Sequence, residues 1–111
     1  MQVIDTTTDQ IAIQNLTVAD NLWSRFLGLM GRKRFERGYG LLLKPCTSVH
    51  TMFMRVPIDI YFLDESNVIV DRRLQVSPWR IAIPKTKCCA VLEVPIPIQD
   101  LAIGSQLSIQ A

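Results

Sequence analysis

The chain has 111 residues, which is enough for one domain and leaves no room for a second core. Hydrophobic residues make up 49% and charged residues 20%, so the chain is not a disordered one. A formal net charge of +2 is too slight for a nucleic-acid binder of this size, so no nucleic-acid partner is expected.

The opening segment "MQVIDTTTDQIAIQN" has no basic stretch, continuous apolar run or small-residue cleavage site of the kind an export signal carries. No later run approaches the roughly 20 apolar residues that a membrane span needs. The chain therefore reads as cytoplasmic without a membrane span, or as an exported protein whose leader has been removed. In "QIAIQNL" the alternation puts Ile11 and Ile13 on one face of a strand. "DNLWSRFLGLMG" breaks that pattern. Leu22, Phe26, Leu29 and Met30 fall on one face of a helix, with Asp20 as N-cap and Gly31 as its terminating glycine. The basic cluster that follows (Arg32, Lys33, Arg34, Arg37) reads as a solvated turn or helix end.

"GLLLK" and "TSVHTMFM" are runs too short for helices. In "IDIYFLD", Ile58, Ile60 and Phe62 share one face and Asp59 and Tyr61 the other. "ESN" turns the chain into "VIVDRRLQV", which predicts a hairpin over roughly residues 57–64 and 68–76. "CCAVLEV" and "SQLSIQ" complete the series, and the six prolines stand at run ends, where a missing N–H does least damage. The expected fold is mainly β: a compact antiparallel β-sandwich or partly closed barrel of about seven strands. One short α-helix near residues 20–30 is expected with it, and residues 1–111 form a single domain.

Three arrangements are candidates for chemistry. His50, Met52 and Met54 stand at spacing two, which on a strand puts an imidazole and two thioethers on one face, a ligand set for a soft ion such as Cu(I). The same alternation also describes a half-buried core strand filled with methionine, continued by Ile58, Ile60 and Phe62. The second arrangement is a cysteine–histidine nucleophile. Three cysteines and one histidine permit it, but Cys88 and Cys89 lie in an apolar run where inert thiols are common. Neighbouring strand residues point to opposite faces, so Cys88 and Cys89 are poor partners for a bridge, and reduced thiols are expected. The third is electrostatic. Asp59 and Glu93 sit inside apolar runs, where a lone charge costs several kcal/mol, so arginine partners are expected from Arg25, Arg55 and Arg80. That set reads either as a closed structural network or as an anion- or peptide-recognition pocket.

The ordered segments "SRFLGLMGR", "GYGLLLKPCTSVHTMFMRVPIDIYFLD", "SPWR", "AVLEVP" and "IGSQLSI" resemble the domain of unknown function 192 family over about residues 10–110. The resemblance implies a compact, sandwich-like β domain with a short helix; it implies no established activity. It also implies a structural role for the Met54 strand, since the family varies at the position of Met52. The chain departs from the family after "VLEVP", where Ile96-Pro97 replaces the usual Ala-Gly. A proline there fixes φ near −65° and removes an N–H, so the following loop is expected to differ.

These readings converge on a non-enzymatic domain that binds a small anionic ligand or a protein segment, with no cofactor and no metal expected. The expected recognition residues are Arg25, Arg32, His50, Arg55, Asp59, Trp79, Arg80 and Glu93. "SPWR" is hot-spot composition if Trp79 is exposed, and ordinary packing if Trp79 is buried under a snorkelling arginine. Two other classes stay open: a small hydrolase or transferase using His50 with Asp59 or Cys46, and a soft-metal binder at His50, Met52 and Met54.

Overall fold

A computed structural model describes residues 1–19, 34–98 and 101–110. Ten strands run through these residues: β1 (Gln2–Asp5), β2 (Gln10–Ile13), β3 (Asn15–Ala19), β4 (Tyr39–Leu43), β5 (Val49–His50), β6 (Ile58–Leu63), β7 (Ile69–Val76), β8 (Ile81–Ala82), β9 (Ala90–Val94) and β10 (Leu107–Gln110). The helix expected near residues 20–30 lies outside the described residues, as do Arg25 and Arg32.

The strands form a five-stranded sheet in the order β3-β4-β9-β6-β7, a three-stranded sheet β10-β1-β2 and a two-stranded ribbon β5-β8. All pairings of these strands are antiparallel except β3 with β4, which run parallel from Asn15↔Tyr39 to Ala19↔Leu43. Among the described residues the sheets do not close into a barrel. Instead they stack in three layers, as the two apolar clusters show. One cluster joins Val3, Ile13 and Leu107 of the three-stranded sheet to Leu42, Tyr61, Leu63, Leu92 and Val94 of the large sheet. The other joins Leu41, Leu43, Ile58, Ile60, Phe62 and Val91 to Ala82 of the ribbon and to Met54 and Cys88.

The large sheet is thus covered on both faces, and every residue of β6 and β9 is buried. This revises the one-faced reading of "IDIYFLD". Asp59 and Tyr61 do not face solvent; Tyr61 enters the sandwich layer and is fully buried. A strand with two covered faces is apolar at nearly every position, and "IDIYFL" and "AVLEV" depart from that at one residue each, Asp59 and Glu93. Each fully buried large side chain there contributes roughly 1.5–3 kcal/mol of hydrophobic stabilisation. The layers meet closely at Gly40, where an added Cβ would lie 3.2 Å from two carbon atoms of Ile13 and 3.3 Å from Leu92.

The β6–β7 hairpin forms as the alternation and the turn residues predict. Asn67 takes the left-handed conformation in the turn, which an asparagine tolerates, and the Asp64 carboxylate accepts the N–H groups of Ser66 and Val68. Near the far end the register slips between Ile58 and Ile60, and Gln75 adopts φ +53° at that bulge.

Candidate functional site

Only Val49 and His50 of "SVHTMFM" are strand, and the chain turns at residues 51–54. Its cause is Thr51, which is fully buried. The Thr51 N–H donates to the Arg80 carbonyl (2.7 Å), and its carbonyl accepts from Trp79 N–H (2.9 Å) and Met54 N–H (3.1 Å). Its hydroxyl donates toward the Ser77 carbonyl (2.7 Å) and accepts from Arg80 N–H (2.8 Å). One small side chain therefore ties the end of β5 to the loop before β8. A β-branched residue with a hydroxyl fills this place; an isosteric valine would take the hydroxyl partner from the Ser77 carbonyl and the Arg80 N–H.

The clamp fixes two aromatic residues in conformations that bulky side chains rarely adopt. Phe53 has φ +64° and Trp79 φ +67°. Both face solvent, 59% and 56% exposed, with ring centroids 4.7 Å apart at 57°. Ile81 and Ile83 continue the patch at 65% and 67% exposure. Beside them lies an open depression of about 420 Å³ lined by Arg73, Val76, Arg80, Ile81, Ala82 and Ile83. His50, paired in register with Ile81, and Arg55 and Arg80 are also exposed. The surface thus combines four large apolar groups with cationic side chains. Trp79 takes the exposed alternative of the two that the sequence left open.

Of the expected recognition residues, the structure brings His50, Trp79 and Arg80 together on the ribbon, with Arg55 two residues beyond Phe53. Asp59 and Glu93 are elsewhere, inside the large sheet. Asp59 has no arginine partner among the described residues. One of its carboxylate oxygens accepts the Gln75 backbone N–H (2.7 Å) and the Gln75 side-chain amide (2.9 Å), which uses the N–H that the bulge frees from the ladder. Glu93 stands between Leu41 of β4 and Ile60 of β6 on the face of the second apolar cluster. Burial pushes its carboxyl up to about 8, and no partner offsets that among the described residues.

The ion pair among the described residues is one the sequence reading missed: Arg73 with Asp71, 2.7 Å apart. They sit two apart on β7 in "VDRRL", a spacing that puts both on one strand face, and that was the available signal. Burial acts to raise the Asp71 carboxyl. The N–H of Lys85, the Arg73 guanidinium and the N–H of Arg72 together outweigh it and hold the group below the usual carboxylate range. Arg73 also reaches the Ile83 carbonyl (3.2 Å) and lies 6.0 Å from the Phe62 ring centre. The sequence also gave no weight to Phe53, Ile81 or Ile83, because isolated apolar residues read as core.

The rival chemistries gain little from this geometry. His50 is exposed, Met54 is buried and the strand ends between them, so His50, Met52 and Met54 do not share one strand face. Among the described residues no group of three histidine, cysteine or acidic side chains is placed to hold a metal ion. His50 Nδ1 accepts the N–H of Met52 (3.3 Å), Cys46 Sγ donates to the Ser48 carbonyl (3.0 Å), and neither side chain bonds the other. Burial pushes the Cys88 thiol up, and the neighbouring Cys46 and Cys89 add to that, which is the reverse of an activated nucleophile. No helix among the described residues is long and apolar enough to cross a membrane.

Similar proteins agree with this architecture. A protein of Sinorhizobium meliloti 1021, provisionally described as a transcription regulator, has the same fold at a TM-score of 0.82 and 17% identity. The match covers 96% of this chain and 89% of that one. A protein of unknown function from Novosphingobium aromaticivorans DSM 12444 matches at TM-score 0.77 and 16% identity, over 97% of this chain and 82% of that one. In sequence, the UPF0127 protein PF1050 of Pyrococcus furiosus is 41% identical over 80% of this chain and 81% of its own length. The UPF0127 protein PH1112 of Pyrococcus horikoshii is 38% identical over 75% of this chain and 74% of its own. The model of the DUF192 family, described as Uncharacterized ACR, COG1430, matches residues 3–109, and the chain belongs to that family.

Proposed function

We propose that this protein is a non-enzymatic binding domain that docks a segment of another protein on the Phe53–Trp79 surface. The partner segment carries a large apolar side chain flanked by acidic ones. The observation behind this reading is the pair of bulky aromatics held at positive φ and turned to solvent. Left-handed backbone costs a residue with a Cβ roughly 1–2 kcal/mol, and such strain persists where the surroundings impose it and function uses it. Packing alone would direct those rings inward. Exposed Trp beside Arg is the composition of interface hot spots, and the depression beside Ile81 and Ile83 offers an apolar side chain a place to lie. Arg55 and Arg80 supply the charge complementarity that selects acidic flanks.

A fluorescent peptide library with an aromatic or leucine residue between aspartates tests this by anisotropy. Tight members of the library are expected to lose at least tenfold in affinity with Trp79→Ala and with Arg80→Glu, while the far-ultraviolet dichroism stays unchanged. A matched library with lysine in place of aspartate is expected to bind weakly or not at all. Equal binding of the two libraries, or binding indifferent to both substitutions, overturns the reading.

A further inference from the structure

On the side of the three-stranded sheet a cleft of about 260 Å³ opens between the β1–β2 hairpin, the turn before β4 and the chain after β9. Its lining combines apolar side chains, Ile11, Pro97, Ile98 and Leu101, with the polar Asp5, Thr8, Gln10, Gln14 and Arg37. Its volume falls below the range of roughly 300–1,000 Å³ typical of drug-sized sites, so its occupant is small. The lining holds opposite charges that form no ion pair with each other. Among the described residues Arg73–Asp71 is the ion pair that forms; Asp5 and Arg37 line the same cleft without pairing. Asp5 is largely buried, and one of its oxygens accepts the Thr7 N–H (3.0 Å). That bond fixes the carboxylate and leaves its other oxygen without a protein donor.

Arg37 lines the same cleft, next in the chain to Gly38, whose φ of +87° turns the chain into β4. The Gly38 carbonyl accepts the N–H groups of Gln14 (3.0 Å) and Asn15 (3.1 Å), which fastens this turn to the end of β2. The Gln14 side chain lies directly against the Gly38 α-carbon, where a Cβ would collide with its amide. The turn that carries Arg37 is therefore held against the end of β2 by the backbone.

We infer that this cleft binds a small zwitterion with an apolar body, of the class of the aliphatic α-amino acids. Asp5 receives the ammonium, Arg37 and the Gln14 amide take the carboxylate, and the aliphatic side chain lies on Ile11, Ile98 and Leu101. Two separated opposite charges in a small cleft suit a ligand carrying both charges better than a simple anion, which Asp5 would repel, or a simple cation, which Arg37 would repel. This site is separate from the aromatic surface and does not depend on it.

L-leucine is the probe, followed by amide chemical-shift perturbation and by calorimetry. Shifts confined to residues 8–14, 37–38, 98 and 101 are expected. Arg37→Ala and Asp5→Asn are each expected to weaken leucine at least tenfold; the asparagine keeps an oxygen for the Thr7 N–H, so the hairpin stays intact. 4-Methylpentanoate, which lacks the ammonium, and leucine methyl ester, which lacks the carboxylate, are expected to bind at least tenfold more weakly than leucine. Absence of leucine binding overturns the inference, as does equal affinity for leucine and 4-methylpentanoate, or shifts located on the Phe53–Trp79 surface.

Discussion

Asp71 on the edge strand β7 and Glu93 on the central strand β9 are each only 5% exposed, yet they end in opposite states. Asp71 finds two backbone N–H donors and a guanidinium, because an edge strand has neighbours whose N–H groups are not used by a ladder. Glu93 lies between β4 and β6, where the ladders on both sides consume the local N–H groups. Its carboxyl is therefore held as the neutral acid at about 8, while Asp71 is held ionised. Desolvation raises both carboxyls, far more at Glu93, which the central strands enclose; at Asp71, near the sheet edge, the smaller penalty is outweighed by its donors.

The largest test of this contrast is pH. An unfolded chain ionises Glu93 near 4.5, whereas the folded chain keeps the proton until about 8. Across that window the folded state binds more protons, so stability is full below about 4.5 and falls as pH rises, by several kcal/mol in order of magnitude. Urea unfolding at pH 5 and pH 8 measures the fall, and Glu93→Gln is expected to remove most of it. Equal stability of the unmodified protein at both pH values would mean that Glu93 is not held neutral.

Asp71 provides the opposite limb. Its folded pKa lies below the ordinary 3.8, so its contribution is present above that value and is lost as pH falls through the folded pKa. Together the two groups put the stability maximum at mildly acidic pH. At pH 7, Asp71→Ala is expected to cost about 2–4 kcal/mol, since it strands the Arg73 guanidinium and two N–H groups. A denaturation midpoint within error of the unmodified protein would end the claim that this edge is held by its carboxylate.

Much of the fold was legible in the sequence because alternation and turn chemistry are local. The β6–β7 hairpin announces itself through "ESN" and the β-branched run after it. Coverage of a sheet on both faces is a long-range property. The same six residues "IDIYFL" suit one buried face or two, and only the packing of the ribbon from β5 and β8 decides. The candidate site was half legible. Trp79, Arg80 and His50 stood out by residue type, whereas Phe53 was hidden by its apolar neighbours and by a backbone turn that no spacing encodes. The carboxylate partners were misjudged for a related reason. Asp59 is answered by Gln75, whose N–H is freed by a register slip, and not by any arginine near it in sequence.

The smallest effect is also the most specific to the aromatic surface. At an ordinary position glycine is less stable than alanine by roughly 0.5–1 kcal/mol, because the unfolded chain gains freedom. At φ +67° the order reverses, since alanine keeps the Cβ that makes this backbone unfavourable and glycine does not. Trp79→Ala and Trp79→Gly both lose the contact with Phe53, so their difference isolates the backbone. Trp79→Gly is expected to be the more stable variant by about 1 kcal/mol in paired thermal unfolding, with peptide binding lost in both. The opposite order would place Trp79 in a relaxed backbone and remove the strain on which the binding proposal rests.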